Sequence, residues 1–167
     1  RRTQIVDWSG DMADEDLIDK EDMVVTVTSG GYIKRTPLVD FRAQKRGGKG
    51  VAGMQTKEED VITTLFVANT HTQLLFFTTD GMVYKLKTWR LPQGGRTSKG
   101  KAIVNILPIP VGVSIAAIMP VDRDEKEWDD LQVVFATSAG TVRRNKLSDF
   151  TNVKANGKIA MKFEDEH

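Results

Sequence analysis

The chain has 167 residues, 40% of them hydrophobic and 28% charged, with a net charge of +1, which is the make-up of a soluble globular domain large enough to bury a core. With no cysteine, disulfides and thiolate metal sites are excluded, which fits a reducing cytoplasm. No apolar stretch is long enough to span a membrane, and Arg1–Gly10 carries no signal-peptide pattern.

Residues 1–21 read as an acidic linker from an upstream domain, with Asp11, Asp14, Glu15, Asp16, Asp19 and Glu21. The best helix candidate in the chain, Asp14–Asp22, offers only Leu17 and Ile18 for an apolar stripe. Beyond it, Met23–Gly50 aligns with Gln73–Gly100 without a gap at a period of 50 residues, and Gln132–Phe150 gives a third copy. The turn glycines are Gly31, Gly81 and Gly140, each preceded three positions earlier by Thr28, Thr78 or Thr137. Two after each glycine stands a β-branched residue: Ile33, Val83 or Val142. Phe41, Leu91 and Phe150 share one apolar column, read as core, and Arg35, Lys85 and Arg144 one basic column.

Each copy reads as strands. Met23–Thr28, Gln73–Thr79 and Leu131–Thr137 run into glycine turns and a second short strand, a hairpin signal. Val51–Gln55, Ala102–Leu107 and Ile159–Phe163 supply a third run, and Val61–Ala68 and Ile115–Val121 a fourth in the first two copies. Four strands per unit at this period predict an all-β, propeller-like array: blade 1 over 22–70, blade 2 over 71–127 and a truncated blade 3 over 128–167. A chain that lacks an initial Met and stops within a repeat is expected to be a piece of a longer array.

The small net charge conceals a pattern. Residues 31–57 hold seven Lys/Arg against Asp40, residues 81–101 hold six against no acid, and residues 141–162 hold six against Asp149. The acids gather between, at Asp7–Asp22, Glu58–Asp60 and Asp122–Asp130. Positive charge in phase with the repeat lines one rim of the array, the electrostatic footprint of a track for a nucleic-acid backbone. Its densest stretch is Gln44-Lys45-Arg46-Gly47-Gly48-Lys49-Gly50, where glycines permit close approach of main-chain N–H groups and the cations supply charge. The candidate rim residues are Arg35, Lys85, Arg96, Lys99, Lys101 and Arg144.

On these residues the chain resembles the C-terminal DNA-wrapping domain of the DNA gyrase A subunit, the β-pinwheel of bacterial type IIA topoisomerases. Gln44–Gly50 is similar to that family's gyrase box, Q-R-R-G-G-R-G, with Lys45 and Lys49 in place of two arginines. Glu21–Val25, Val67–His71 and Ile103–Pro108 resemble family segments as well. The resemblance implies an open arc of about two and a half four-stranded blades taken from a longer closed ring. It also implies nonspecific binding of double-stranded DNA and its chiral wrapping, so that the parent enzyme introduces negative supercoils with ATP. The implied partners are the gyrase B subunit and a second gyrase A subunit in a bacterial, nucleoid-associated heterotetramer. ATP and Mg²⁺ belong to that parent complex, and no cofactor or active site is expected within this chain. The C-terminal domain of the topoisomerase IV A subunit, which serves decatenation, is the nearest alternative.

Rival motifs are weaker. Gly95–Lys101 matches the start of a phosphate-binding G-x-x-x-x-G-K loop, but Ala102 stands where Ser or Thr must hold Mg²⁺, and a strand pattern follows instead of a helix. Trp128-Asp129 spells the dipeptide of protein-interaction propellers, yet it precedes its strand and has no upstream Gly-His. His71 and His167 are the only histidines, too few for a zinc site, and neither has a nucleophile signature nearby. Tyr84 alternates with Met82 and Leu86 and reads as packed. Asp122–Asp130 lacks the glycine and terminal Glu of an EF-hand loop and reads as a solvated link.

Overall fold

A computed structural model describes residues 14–41 and 60–163. The architecture is all-β. Strands β1 (Asp22–Thr28), β2 (Tyr32–Pro37) and β3 (Ile62–Asn69) belong to the first repeat, and β4 (Gln73–Thr78), β5 (Met82–Lys87), β6 (Lys101–Ala102) and β7 (Ile115–Val121) to the second. The third contributes β8 (Gln132–Ala136), β9 (Val142–Lys146) and β10 (Lys158–Ile159).

The repeat columns are visible in the turns. Gly31, Gly81 and Gly140 sit at φ +81°, +82° and +84°, a left-handed conformation that glycine enters without a Cβ penalty. Each donates its N–H to the carbonyl of the threonine three before it, at 3.0 Å in all three copies. The Thr28 and Thr137 hydroxyls accept from the amides of Tyr32 and Thr141, both at 3.2 Å, so the side chain closes the same turn. Thr78 uses its hydroxyl differently, donating toward Asp80 and the Met82 carbonyl. The bulge recurs too: the β1–β3 ladder slips between Val27 and Thr28, and β4–β7 at the equivalent Phe77 and Thr78.

The sheets are not assembled repeat by repeat. Their orders are β3-β1-β2-β6 and β10-β5-β4-β7, with β8-β9 as a two-stranded sheet, so each four-stranded sheet takes its outer strand from the following repeat. This corrects the expectation that one repeat supplies all four strands of its blade. The outer strands are also shorter than expected: Ala102–Leu107 and Ile159–Phe163 yield only Lys101–Ala102 and Lys158–Ile159. After Ala102 the chain turns into a 3-10 helix, Ile103–Asn105, and the Leu107 amide reaches the Ile103 carbonyl at 2.9 Å. That i,i+4 contact buries Ile103 and Leu107 together, in a turn rather than in the extended run expected there. At the second edge, the amides of Ala160 and Met161 both converge on the Gly81 carbonyl, and the ladder ends there. The third run of the first copy, Val51–Gln55, lies outside the described residues.

The core lies between sheets. Val25, Val27, Ile33, Leu74, Phe76, Tyr84, Leu91 and Ile103 form one cluster, and Leu75, Val83, Val121, Trp128, Leu147 and Phe150 another. Strand β4 feeds both, Leu74 and Phe76 to the first and Leu75 to the second. This is why its sequence is a continuous apolar run rather than an alternation. Each such side chain contributes about 1.5–3 kcal/mol by leaving water. Trp128 in the acidic link is fully buried and donates from Nε1 to the Arg123 carbonyl at 3.1 Å.

Candidate nucleic-acid interface

The densest basic stretch, Gln44, Lys45, Arg46, Gly47, Gly48, Lys49 and Gly50, lies outside the described residues. The other rim candidates divide into two groups according to what their charged ends meet.

Arg35 and Lys85 join neighbouring repeats. Each stands opposite a fully buried residue of the paired strand, Val25 and Leu75, so its side chain leaves the sheet on the face that packs against the next repeat. Arg35 Nε donates to the Leu91 carbonyl at 2.8 Å, and burial lowers its guanidinium pKa against a smaller opposing pull from Glu21. Lys85 Nζ donates to the Thr151 carbonyl and to Glu125 Oε1, both at 2.6 Å, and lies 5.9 Å from the centre of the Trp128 ring. Leu91 and Thr151 each follow the corresponding 3-10 helix, Thr88–Arg90 and Leu147–Phe150. The basic column therefore delivers a cation to the carbonyl end of the next repeat's short helix, where unpaired acceptors collect. Arg144, the third member, stands opposite Val134 on a face that is exposed, with Val134 itself 63% accessible.

Arg96, Lys101 and Arg144 are exposed, and Lys99 is half-buried with its ammonium 3.9 Å from the centre of the Tyr32 ring. Arg96 and Lys99 belong to a loop of the second repeat that is laid across the edge of the first sheet, and Lys101 opens β6, which pairs with β2. The Arg35 amide donates to the Pro92 carbonyl at 2.9 Å, Gly94 donates back to the Arg35 carbonyl at 3.0 Å, and Thr36 Oγ1 donates to the Gly94 carbonyl at 2.8 Å. Beneath the loop lies a residue that the basic columns of the sequence do not single out. Lys34 is fully buried and its ammonium donates to the carbonyls of Gly95 at 2.8 Å, Arg96 at 2.8 Å and Ser98 at 3.0 Å. Burial lowers its pKa, but three carbonyl oxygens replace the water an ammonium demands. A signal was present: Lys34 falls in the strand column that holds Tyr84 in the second repeat, where an aromatic ring supports Gly157 of the next loop.

The acidic segment at the start of the described chain is docked. Its 3-10 helix, Asp14–Leu17, brings Glu15 Oε1 to 3.1 Å from both His71 Nδ1 and Lys87 Nζ, while His71 Nε2 meets the Ile18 carbonyl at 2.7 Å. Burial pushes the Glu15 carboxyl up, but its hydrogen bonds and charge attraction to Lys87 and His71 outweigh that and leave it lowered. Among the described residues no group of three or more His, Cys, Asp or Glu could hold a metal ion, and no helix is long and apolar enough to cross a membrane.

A family model described as the DNA gyrase C-terminal domain, a beta-propeller, matches residues 22–69, 72–122 and 132–167, in step with the three repeats. The chain belongs to this family. The DNA gyrase A subunit of Granulibacter bethesdensis is 49% identical over 165 residues, and that of Rickettsia bellii 48% over 166; each match covers 99% of this chain and 18% of the relative. The chain thus spans under a fifth of the length of these relatives. Among solved structures, the C-terminal domain of DNA topoisomerase IV superposes with a TM-score of 0.65 at 28% identity, covering 83% of this chain and 41% of that one. The DNA gyrase A C-terminal domain superposes with the same TM-score at 24% identity, covering 87% and 45%. The gyrase family's pinwheel architecture is what the exchanged outer strands and the open, antiparallel sheets describe.

Proposed function

We propose that the chain binds duplex DNA along its basic rim with little sequence preference. In the parent protein it would wrap that DNA with a fixed hand so that gyrase introduces negative supercoils at the expense of ATP. The observation that carries the reading is the recurrence of cation-rich loops at one phase of the repeat, one of them held on the sheet edge with Arg96 and Lys101 exposed. Its support from kinship is membership of the gyrase family and the 49% identity to a gyrase A subunit. Fixed cations that displace counterions offset the elastic cost of bending a short duplex, which runs to several kcal/mol. The residues proposed to meet phosphates are Lys45, Arg46 and Lys49 of the box together with Arg96, Lys99 and Lys101, while Arg144, which shares the column of Arg35 and Lys85, is grouped with those two. Arg35 and Lys85 are assigned instead to holding the arc's curvature. The partners in the parent complex are the gyrase B subunit and a second gyrase A subunit, with ATP and Mg²⁺ bound outside this chain, in the bacterial cytoplasm.

The test is equilibrium binding of a mixed-sequence duplex over a range of salt. With about five cations on phosphates, log K should fall against log salt with a slope of about −4 to −5, and base composition should change affinity little. A slope near zero, or no binding at low salt, would sink the reading and favour a protein-interaction propeller.

A further inference from the structure

The buried Lys34 ammonium does more than fill a gap, because of what it does to the peptide groups above it. In a trans peptide the N–H of one residue points opposite to the C=O of the residue before it. Lys34 draws the carbonyls of Gly95, Arg96 and Ser98 inward, and Thr36 draws in that of Gly94. The amides of Gly95, Arg96, Thr97 and Lys99 are therefore turned outward. None of the four has a hydrogen-bond acceptor among the described residues, whereas the neighbouring Gly94 and Ser98 amides are paired at 3.0 and 3.1 Å. Gly95, Arg96 and Thr97 are exposed. A tight turn over Gly95–Ser98, closed by the Ser98 amide and hydroxyl on the Gly95 carbonyl, fixes the arrangement.

We propose that this loop is a phosphodiester-binding nest, with outward amides as donors and the Arg96 and Lys101 side chains as flanking charge, and that Lys34 is its positioning residue. Successive backbone N–H groups facing one side of a turn make a concavity of positive potential suited to an oxyanion. Lys34 itself touches no ligand. It exchanges a cation in the interior for an array of donors at the surface, and Thr36 assists. The inference rests on the duplex-binding reading above, but it places the binding group on the main chain rather than on the side-chain cations alone.

The experiment is a ¹⁵N–¹H amide titration of the whole chain with a duplex of about 20 base pairs at low salt, run beside affinity measurements on variants. On wild type, the amides of Gly95, Arg96, Thr97 and Lys99 should shift more than those of the acidic link Asp122–Asp130. Lys34→Met removes no exposed cation, yet it should weaken duplex binding about tenfold, the equivalent of one charge-assisted hydrogen bond, and abolish the shifts at these four amides. Should Lys34→Met fail to fold, the isosteric Thr36→Val keeps the ammonium and should reduce the shift at Gly95, whose amide opposes the Gly94 carbonyl, before those at Arg96, Thr97 and Lys99. Salt-dependent duplex binding with these four amides unmoved would overturn the nest and leave the duplex reading standing. A folded Lys34→Met of undiminished affinity would overturn the positioning role. Absence of duplex binding at low salt would overturn both readings.

Discussion

At the scale of single residues, cations of one sequence type have three fates here. Lys34 is buried under carbonyls, Lys85 is shared between repeats, and Arg96 is exposed at the surface. Their substitution should separate stability from binding. Lys85→Met removes two charged hydrogen bonds of 2.6 Å; charged bonds are each worth about 1.5–3 kcal/mol, and water can reach the half-exposed Glu125, so a loss of about 2 kcal/mol is expected. In a chain of this size that lowers Tm by roughly 4–8 °C. The slope of duplex binding against salt, measured well below the melt, should stay as in wild type. Arg96→Gln should do the reverse, leaving Tm within the small range of surface changes and making the salt slope shallower by about one. Thermal melts and binding isotherms on the two variants check both arms. The sequence could not make this division. Arg35, Lys85 and Arg144 share one column, and what separates them is whether a further repeat packs over that face.

Elements tell the same story through the glycines that border exchanged strands. A Cβ at Gly31 would meet nothing within 4 Å among the described residues, but one at Gly100 would lie 2.4 Å from the Ile33 carbonyl oxygen, a backbone atom that cannot step aside. Both residues have φ near +80°. Gly31→Ala should cost only the conformational strain of about 1–2 kcal/mol, whereas Gly100→Ala should cost roughly 4 kcal/mol or more, at the exceptional end for a point change, by prising β6 from β2. Denaturant midpoints of the two variants are the comparison. Much of the fold was legible at this scale: the hairpins β1–β2, β4–β5 and β8–β9 and the strands β3 and β7 follow from apolar runs, β-branched content and turn glycines kept in register by the repeat. The outer strands were not. Their two residues carry no periodicity, and their partners lie one repeat back in the chain, a long-range pairing no local pattern encodes. Trp128 was missed for a related reason: six acids in Asp122–Asp130 mask the one large side chain that is anchored in the second core cluster.

For the whole molecule, the decisive question is what the box does in its parent. Replacing Lys45, Arg46 and Lys49 by Ala in the intact parent gyrase should abolish supercoiling and leave DNA cleavage and ATP-dependent relaxation. On the proposed wrapping, an unpinned duplex would spring back toward straight while the remaining rim cations would still hold it. Supercoiling assays at matched enzyme concentration decide this, and a wild-type rate in the triple variant would reduce the box to a solvated loop. The exchange of outer strands also has a consequence in time. When synthesis has passed Asn69, three strands of the first sheet exist, but the fourth arrives only with Lys101–Ala102. At bacterial elongation rates the stretch of about thirty residues between them takes roughly 2–6 s to make. Through that interval β2 presents an unpaired edge, and the Lys34 ammonium lacks the three carbonyls that will enclose it. Each four-stranded sheet is finished only by the birth of the next repeat, so until then the growing chain advances from the ribosome with a raw edge behind it.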